Sequence, residues 1–164
     1  MAISDWMPTL IARLGTITGL AANGTQPHRV HGYTDLPATL LELPTMIVLP
    51  LRSPHEYSAG GPAIWVHQLQ ATLYVSPVVL PEAFAVAIPY IKLVRDKMAA
   101  NVTLTGLSWS GGRVAHWLPQ ADANFYEGPG RVVYAGADGN EREYLGIIFR
   151  MEVKEVETAV TVTA

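Results

Sequence analysis

Two long runs of apolar–polar alternation decide what this chain can fold into. Across Glu143 to Glu157, Ile147, Phe149, Met151 and Val153 alternate with Ile148, Arg150, Glu152 and Lys154. Across Ala63 to Val75, Trp65, His67, Leu69, Ala71, Leu73 and Val75 alternate with Ile64, Val66, Gln68, Gln70, Thr72 and Tyr74. Successive side chains of an extended chain point to opposite faces, so each run predicts a strand with one face in the core. In the second run the core face is the one without the two glutamines. A further strand is predicted over Thr45 to Leu51, where Ile47, Val48 and Leu49 are bounded by Pro44 and weakened by Pro50. The cover for such a sheet is also in the sequence. Phe84, Ala87, Ile88, Ile91, Val94 and Met98 recur at three- and four-residue spacing, which predicts a long amphipathic helix from Glu82 to Ala100, kinked at Pro89. Ser4 or Asp5 caps a shorter N-terminal helix through Trp6, Leu10 and Leu14, with Pro8 in its first turn. The expected fold is therefore α+β: a mixed, mainly antiparallel sheet with the two helices packed on one face.

The connections are marked by Gly, Pro, Asn and Asp. Ala21 to Pro37 has no period and reads as an irregular surface arm, and Arg52 to Pro62 (RSPHEYSAGGP) as a long hairpin loop. Gly136 to Asn140 suits a hairpin between Arg131–Ala135 and the closing strand. Leu107 to Pro129 is rich in Gly and Trp and alternates only from Arg113 to Leu118, while Thr158 to Ala164, small and β-branched, reads as an extended tail. The chain is expected to be one domain spanning 1–164.

Composition enters at the question of what covers so much apolar surface. Hydrophobic residues make up 49% of the 164 and charged residues only 15%. A domain of this size buries about two-thirds of its unfolded surface by itself, so the balance favours burial between subunits. The net charge is −3, and no cluster of Lys or Arg is long enough to neutralise several neighbouring phosphates, so nucleic acid is not expected as a gripped ligand. The chain has no cysteine, which excludes disulfides, thiolate metal sites and a Cys nucleophile. Ser4-Asp5-Trp6 interrupts any signal-like apolar start, and no window approaches the roughly 18 apolar residues that cross a bilayer. The expectation is folding in a cytoplasm, with the Asn23 and Asn101 sequons as chance.

Catalytic and cofactor motifs are scarce. His28 and His31 form the one i, i+3 pair among the five histidines, in a Pro- and Gly-bearing segment without a carboxylate cluster, so no metal is expected. His67, among apolar strand neighbours, reads as a hydrogen-bonded sheet histidine. Gly106-Leu107-Ser108-Trp109-Ser110 misses the nucleophile-elbow pattern at its last position. Neither a Walker loop nor a G-x-G-x-x-G exists, so no nucleotide cofactor is expected. Glu141, Glu143, Glu152, Glu155 and Glu157 read as a solvated face rather than as acid–base pairs. Trp65, Trp109 and Trp117 read as either core or interface anchors. The chain is expected not to be an enzyme.

The order of elements resembles the tail terminator and tail completion proteins of long-tailed phages. The residues that carry the resemblance are the helix Glu82 to Ala100 passing into Asn101-Val102-Thr103-Leu104-Thr105-Gly106, the strand Ala63 to Val75, and Tyr144-Leu145-Gly146 leading into the strand up to Val156. Together they span roughly half the chain. The resemblance implies a structural virion protein, assembled in the host cytoplasm, whose copies form a hexameric ring on the head-proximal end of the tail tube. Such a ring stops tube polymerisation and presents a surface to the head connector, with DNA only passing through its lumen. Partners would be further copies of the chain, the tail tube protein and the connector or stopper protein. The axial contacts expected on this reading are Arg52, His55, Glu56 and Tyr57 in one loop and Asp138, Asn140, Glu141 and Arg142 at the other. Two alternatives stand beside it: a head completion or stopper protein of the same neck, and a monomeric ligand-binding domain with a pocket lined by Trp65, Phe84 and Phe149.

Overall fold

In a computed structural model the chain runs α1 (Ile3–Leu14), β1 (Ala21–Asn23), β2 (Gln26–His28), β3 (Val30–His31), β4 (Thr45–Arg52), β5 (His55–Glu56), β6 (Ile64–Ser76), α2 (Pro81–Ala87), α3 (Pro89–Ala100), β7 (Ser108–Trp109), β8 (Gly112–Pro119), β9 (Tyr126–Ala135) and β10 (Glu141–Glu157). The structure describes residues 3–23, 26–40, 42–56, 63–77, 80–136 and 139–157, with 22, 23, 26–28 and 56 described by their backbone alone. The tail Thr158 to Ala164 lies outside them.

The two alternating runs pair with each other along nearly their whole length. β10 runs antiparallel to β6 from Leu145↔Ser76 to Val156↔Ile64. On its other edge β10 holds β9 over Glu141 to Phe149 and β8 over Met151 to Glu157. β4 lies on the far side of β6, with a register shift between Pro50 and Arg52 where the prolyl nitrogen has no hydrogen to give. The main sheet has the order β3-β4-β6-β10-β8-β7, with β5 against β6 and β9 against β10. It is α+β as expected, but mixed rather than mainly antiparallel in character: β3 joins the edge parallel to β4, through Val30↔Met46 and His31↔Ile47.

Both helical segments cover the same face. Trp6, Met7, Leu10 and Leu14 of α1 and Tyr90, Val94 and Met98 of α3 share one core with Leu69, Ala71, Leu73 and Val75 of β6 and Ile147, Phe149, Met151 and Val153 of β10. These are the strand residues that alternation assigned inward. The long helix, however, is two shorter ones. α2 has 7 residues and α3 has 12, and Pro89 begins the second because a proline inside one continuous helix removes a backbone bond and clashes with the preceding turn. Pro8 is the sixth residue of α1, not part of its first turn, so α1 does lose one backbone bond there. The predicted arm is also built differently. β1 and β2 pair as a small hairpin and Val30 is fully buried in the edge of the main sheet. Strands of two or three residues are too short for alternation to reveal.

The opposite face carries a smaller cluster of Ile47, Tyr74, Val132, Tyr134 and Tyr144. Tyr74 sits edge-on to both Tyr134 and Tyr144, at 5.5 and 5.4 Å between ring centres. Gly146 makes this possible: a Cβ there would lie 2.0 Å from the Leu73 carbonyl oxygen and 2.6 Å from Val132 Cγ2. The sheet curls at this point, and β9 closes down on the tyrosines. Tyr134 Oη donates to the carbonyl of Pro37, which ties the segment before β4 to the same cluster.

Candidate functional site

The apolar row on the inner face of the sheet ends in a set of polar side chains. His67 continues the line of Leu69, Ala71 and Leu73 on β6, and Glu155 continues that of Met151 and Val153 on β10. His67 is 0% exposed and Glu155 1%. Burying such groups costs several kcal/mol unless they are bonded. Here the bonds are present: Trp6 Nε1 on α1 donates to Glu155 Oε1 at 3.1 Å, His67 Nε2 stands 3.3 Å from the same oxygen, and Ser53 Oγ stands 2.7 Å from His67 Nδ1. The Trp6 and His67 rings are 5.1 Å apart. With the carboxylate accepting at Nε2, Nδ1 is left as the acceptor and the Ser53 hydroxyl donates to it. Burial pushes the His67 imidazole below its ordinary pKa of 6.5, and the charge and hydrogen bond of Glu155 oppose that shift in part.

Two expectations change at this place. His67 is the hydrogen-bonded sheet histidine that its neighbours implied. Glu155 is not on a solvated face, and neither is Glu152, which is 9% exposed and accepts from the Ala121 backbone N–H at 2.8 Å while lying 3.2 Å from His116 Nε2. The missed signal for Glu155 was parity. It shares odd numbering with Ile147, Phe149, Met151 and Val153, so an unbroken strand carries it inward. Trp117 is core, whereas Trp65 and Trp109 are half-buried.

The contact residues expected from sequence fall into two groups at opposite ends of the sheet. Arg52, His55 and Glu56 lie where β6 begins and β10 finishes. The Arg52 guanidinium donates from Nε to Gln68 Oε1 and reaches Asp122 at 3.8 Å, and the His55 ring lies 4.1 Å from that of Trp65, whose Nε1 donates to Glu157 at 2.8 Å. Asn140, Glu141 and Arg142 are exposed at the tip of the β9–β10 hairpin, beyond the end of β6. The 13 residues of β6, at about 3.3 Å each, set the two groups roughly 40 Å apart. Tyr57 and Asp138 lie outside the described residues.

Beside the Val75–Ser76 end of β6 the surface is apolar. Leu80, Val86 and Ile88 are each about half exposed around α2, and a depression of about 260 Å³ beside them is lined by Val75, Ser76, Leu80, Glu82, Ala83 and Val86. The pocket of Trp65, Phe84 and Phe149 is not formed as expected. Phe149 packs on Phe125 at 5.5 Å and pairs with Ala71, six residues along β6 from Trp65, which is about 20 Å. Among the described residues no group of three or more His, Asp or Glu is placed to hold a metal ion, and no helix is long and apolar enough to cross a membrane. No family model and no curated protein sequence matches the chain.

Proposed function

We propose that the chain is a structural subunit of a phage neck, a tail terminator whose copies join by their flanks into a ring, hexameric in the proteins it resembles, on the head-proximal end of the tail tube. The observation that carries this reading is the separation of Arg52, His55 and Glu56 from Asn140, Glu141 and Arg142 by the length of the two longest strands. A ring that stops a polymer needs one face that copies the polymer's stacking surface and another that refuses the next subunit, and two polar ends on a stiff β-pair supply two such faces. The half-exposed apolar residues around α2 fit the third requirement, a lateral contact between copies, and agree with a composition low in charge. Tube protein and connector would be the axial partners, and the virion's head–tail junction the place of action. The net charge of −3 fits DNA passing rather than held.

The test is mass by light scattering after size exclusion, with and without purified tail tubes, followed by electron microscopy. Rings, or tubes capped at one end, are the expected outcome. A monomer that ignores tubes overturns the proposal and favours a head-side stopper protein.

A further inference from the structure

We propose that Ser53 is an activated nucleophile, with His67 as its general base and Glu155 as a positioning residue, and that this end of the sheet is an acyl-transfer site for short acyl esters. The inference does not rest on the ring reading, because it concerns the inner side of the sheet and is read out on the single subunit.

The geometry of the three groups is that of a charge-supported nucleophile. Ser53 Oγ is 2.7 Å from one imidazole nitrogen, and the other is 3.3 Å from a carboxylate. Such a constellation is recognised by who bonds whom, not by chain order or by which ring nitrogen faces the hydroxyl. Trp6 Nε1, donating to the same carboxylate oxygen at 3.1 Å, fixes Glu155 and through it the ring. Stability does not demand this arrangement. The row that precedes it is Leu69, Ala71, Leu73 and Val75, and replacing buried, mutually bonded polar groups by apolar residues of like shape is often neutral or stabilising.

The chain of bonds also runs from a closed core to the surface. His67 and Glu155 are sealed, while Ser53 is half-buried between exposed Arg52 and Pro54. A base that is buried and held neutral at pH 7 is available to take a proton. Trp65, two residues before His67 on the same face of β6 and tilted against the His55 ring at 4.1 Å, offers an apolar wall suited to a short acyl chain.

In the reaction, the Ser53 oxygen attacks the ester carbonyl carbon while His67 Nδ1 takes the hydroxyl proton. The bond to the leaving alcohol breaks, and the alcohol oxygen receives that proton from Nδ1. Water then attacks the acyl-Ser53 ester by the same path, which releases the carboxylic acid and restores the serine.

Two measurements test this on the full chain. The first is intact mass and peptide mapping after diisopropyl fluorophosphate. One adduct on Ser53 is expected, absent in Ser53→Ala. No adduct on Ser53 in a protein that still melts cooperatively overturns the proposal and leaves the relay a structural tie. The second is alkylation of Ser53→Cys by iodoacetamide at pH 7, where the chain's lack of cysteine makes this the sole thiol. Adding Glu155→Gln keeps an acceptor for Trp6 but removes the charge, and should slow alkylation by about 10-fold or more, as the thiolate loses its imidazolium partner. Equal rates with and without Glu155→Gln overturn it as well.

Discussion

His67 carries a constraint that shows only when protons are counted. Burial lowers its pKa below the 6.5 it has in an unfolded chain, with Glu155 offsetting part of the shift. Between those two values the unfolded chain binds more protons than the folded one, so stability is fully present above about pH 6.5 and falls as pH drops below it. His67→Gln keeps bonding capacity and removes this titration. Thermal melting from pH 7.5 to 5 should therefore show a steeper acid-side loss in the native chain than in the variant, and parallel profiles would count against a buried neutral imidazole. A second strain lies in the turn after α3, where Leu104 and Thr105 hold φ of +48° and +62° before Gly106 at +74°. Leu104 is fully buried, which explains its presence there. Thr105 is exposed and β-branched, and its left-handed backbone costs about 1–2 kcal/mol. Thr105→Gly relieves that and adds unfolded-state entropy, for a net gain of about 0.5–1 kcal/mol in urea unfolding. Of these residues, His67 was legible from its apolar strand neighbours. Glu155 was obscured because charge on a predicted hairpin normally marks water, and only its parity with Met151 and Val153 pointed inward.

Elements were legible in proportion to their length. β6 and β10 run to 13 and 17 residues, and their alternation over 64–75 and 147–154 is long enough to fix both their existence and their inner faces. β3 spans two residues and takes its place in the sheet from a parallel pairing with Met46 and Ile47, a partner that local pattern does not name. The helix over 82–100 shows the converse failure. Its apolar spacing continues through Pro89, so periodicity reads one element where the missing N–H makes two. Gly146 decides the shape of the sheet at its far end, and here the sequence shows only a Tyr-x-Gly. Any side chain at 146 meets the Leu73 carbonyl oxygen at 2.0 Å, which is backbone and cannot step aside without parting β6 from β10. Gly146→Ala should cost on the order of 3 kcal/mol or more, from overpacking in a continuous ladder. It should also loosen the Tyr74, Tyr134 and Tyr144 cluster, visible as a loss of near-ultraviolet circular dichroism. A variant of native stability would mean that the strands approach less closely than this.

At the scale of the molecule, what sequence withheld was which loops share an end. Trp65 bonds Glu157 across 92 positions, and it is this long-range register that puts the chain's closing strand beside the loop after β4 and sends the β9–β10 tip the other way. If the subunit works as a ring with two unlike faces, the two ends must be separable by mutation, because contacts roughly 40 Å apart share no side chain and their effects should add. Arg52→Glu with His55→Ala at one end, and Asn140→Ala with Arg142→Glu at the other, touch exposed or half-buried groups and should leave the oligomer mass unchanged, with a small loss of melting temperature in the first pair, which gives up the Arg52 bond to Gln68 and the His55 contact with Trp65. One pair should abolish capping of tail tubes while the other leaves capping intact and blocks joining to heads. A third variant, Val86→Lys with Ile88→Lys, should instead convert the oligomer to monomer, since a lysine desolvated at a lateral contact has no partner there. The three outcomes are read by light scattering, electron microscopy of tubes and in vitro joining. If both end variants fail at the same step, or if the flank variant keeps its mass, the division into two axial faces and one lateral face is wrong, and the polar ends serve some other purpose than stacking.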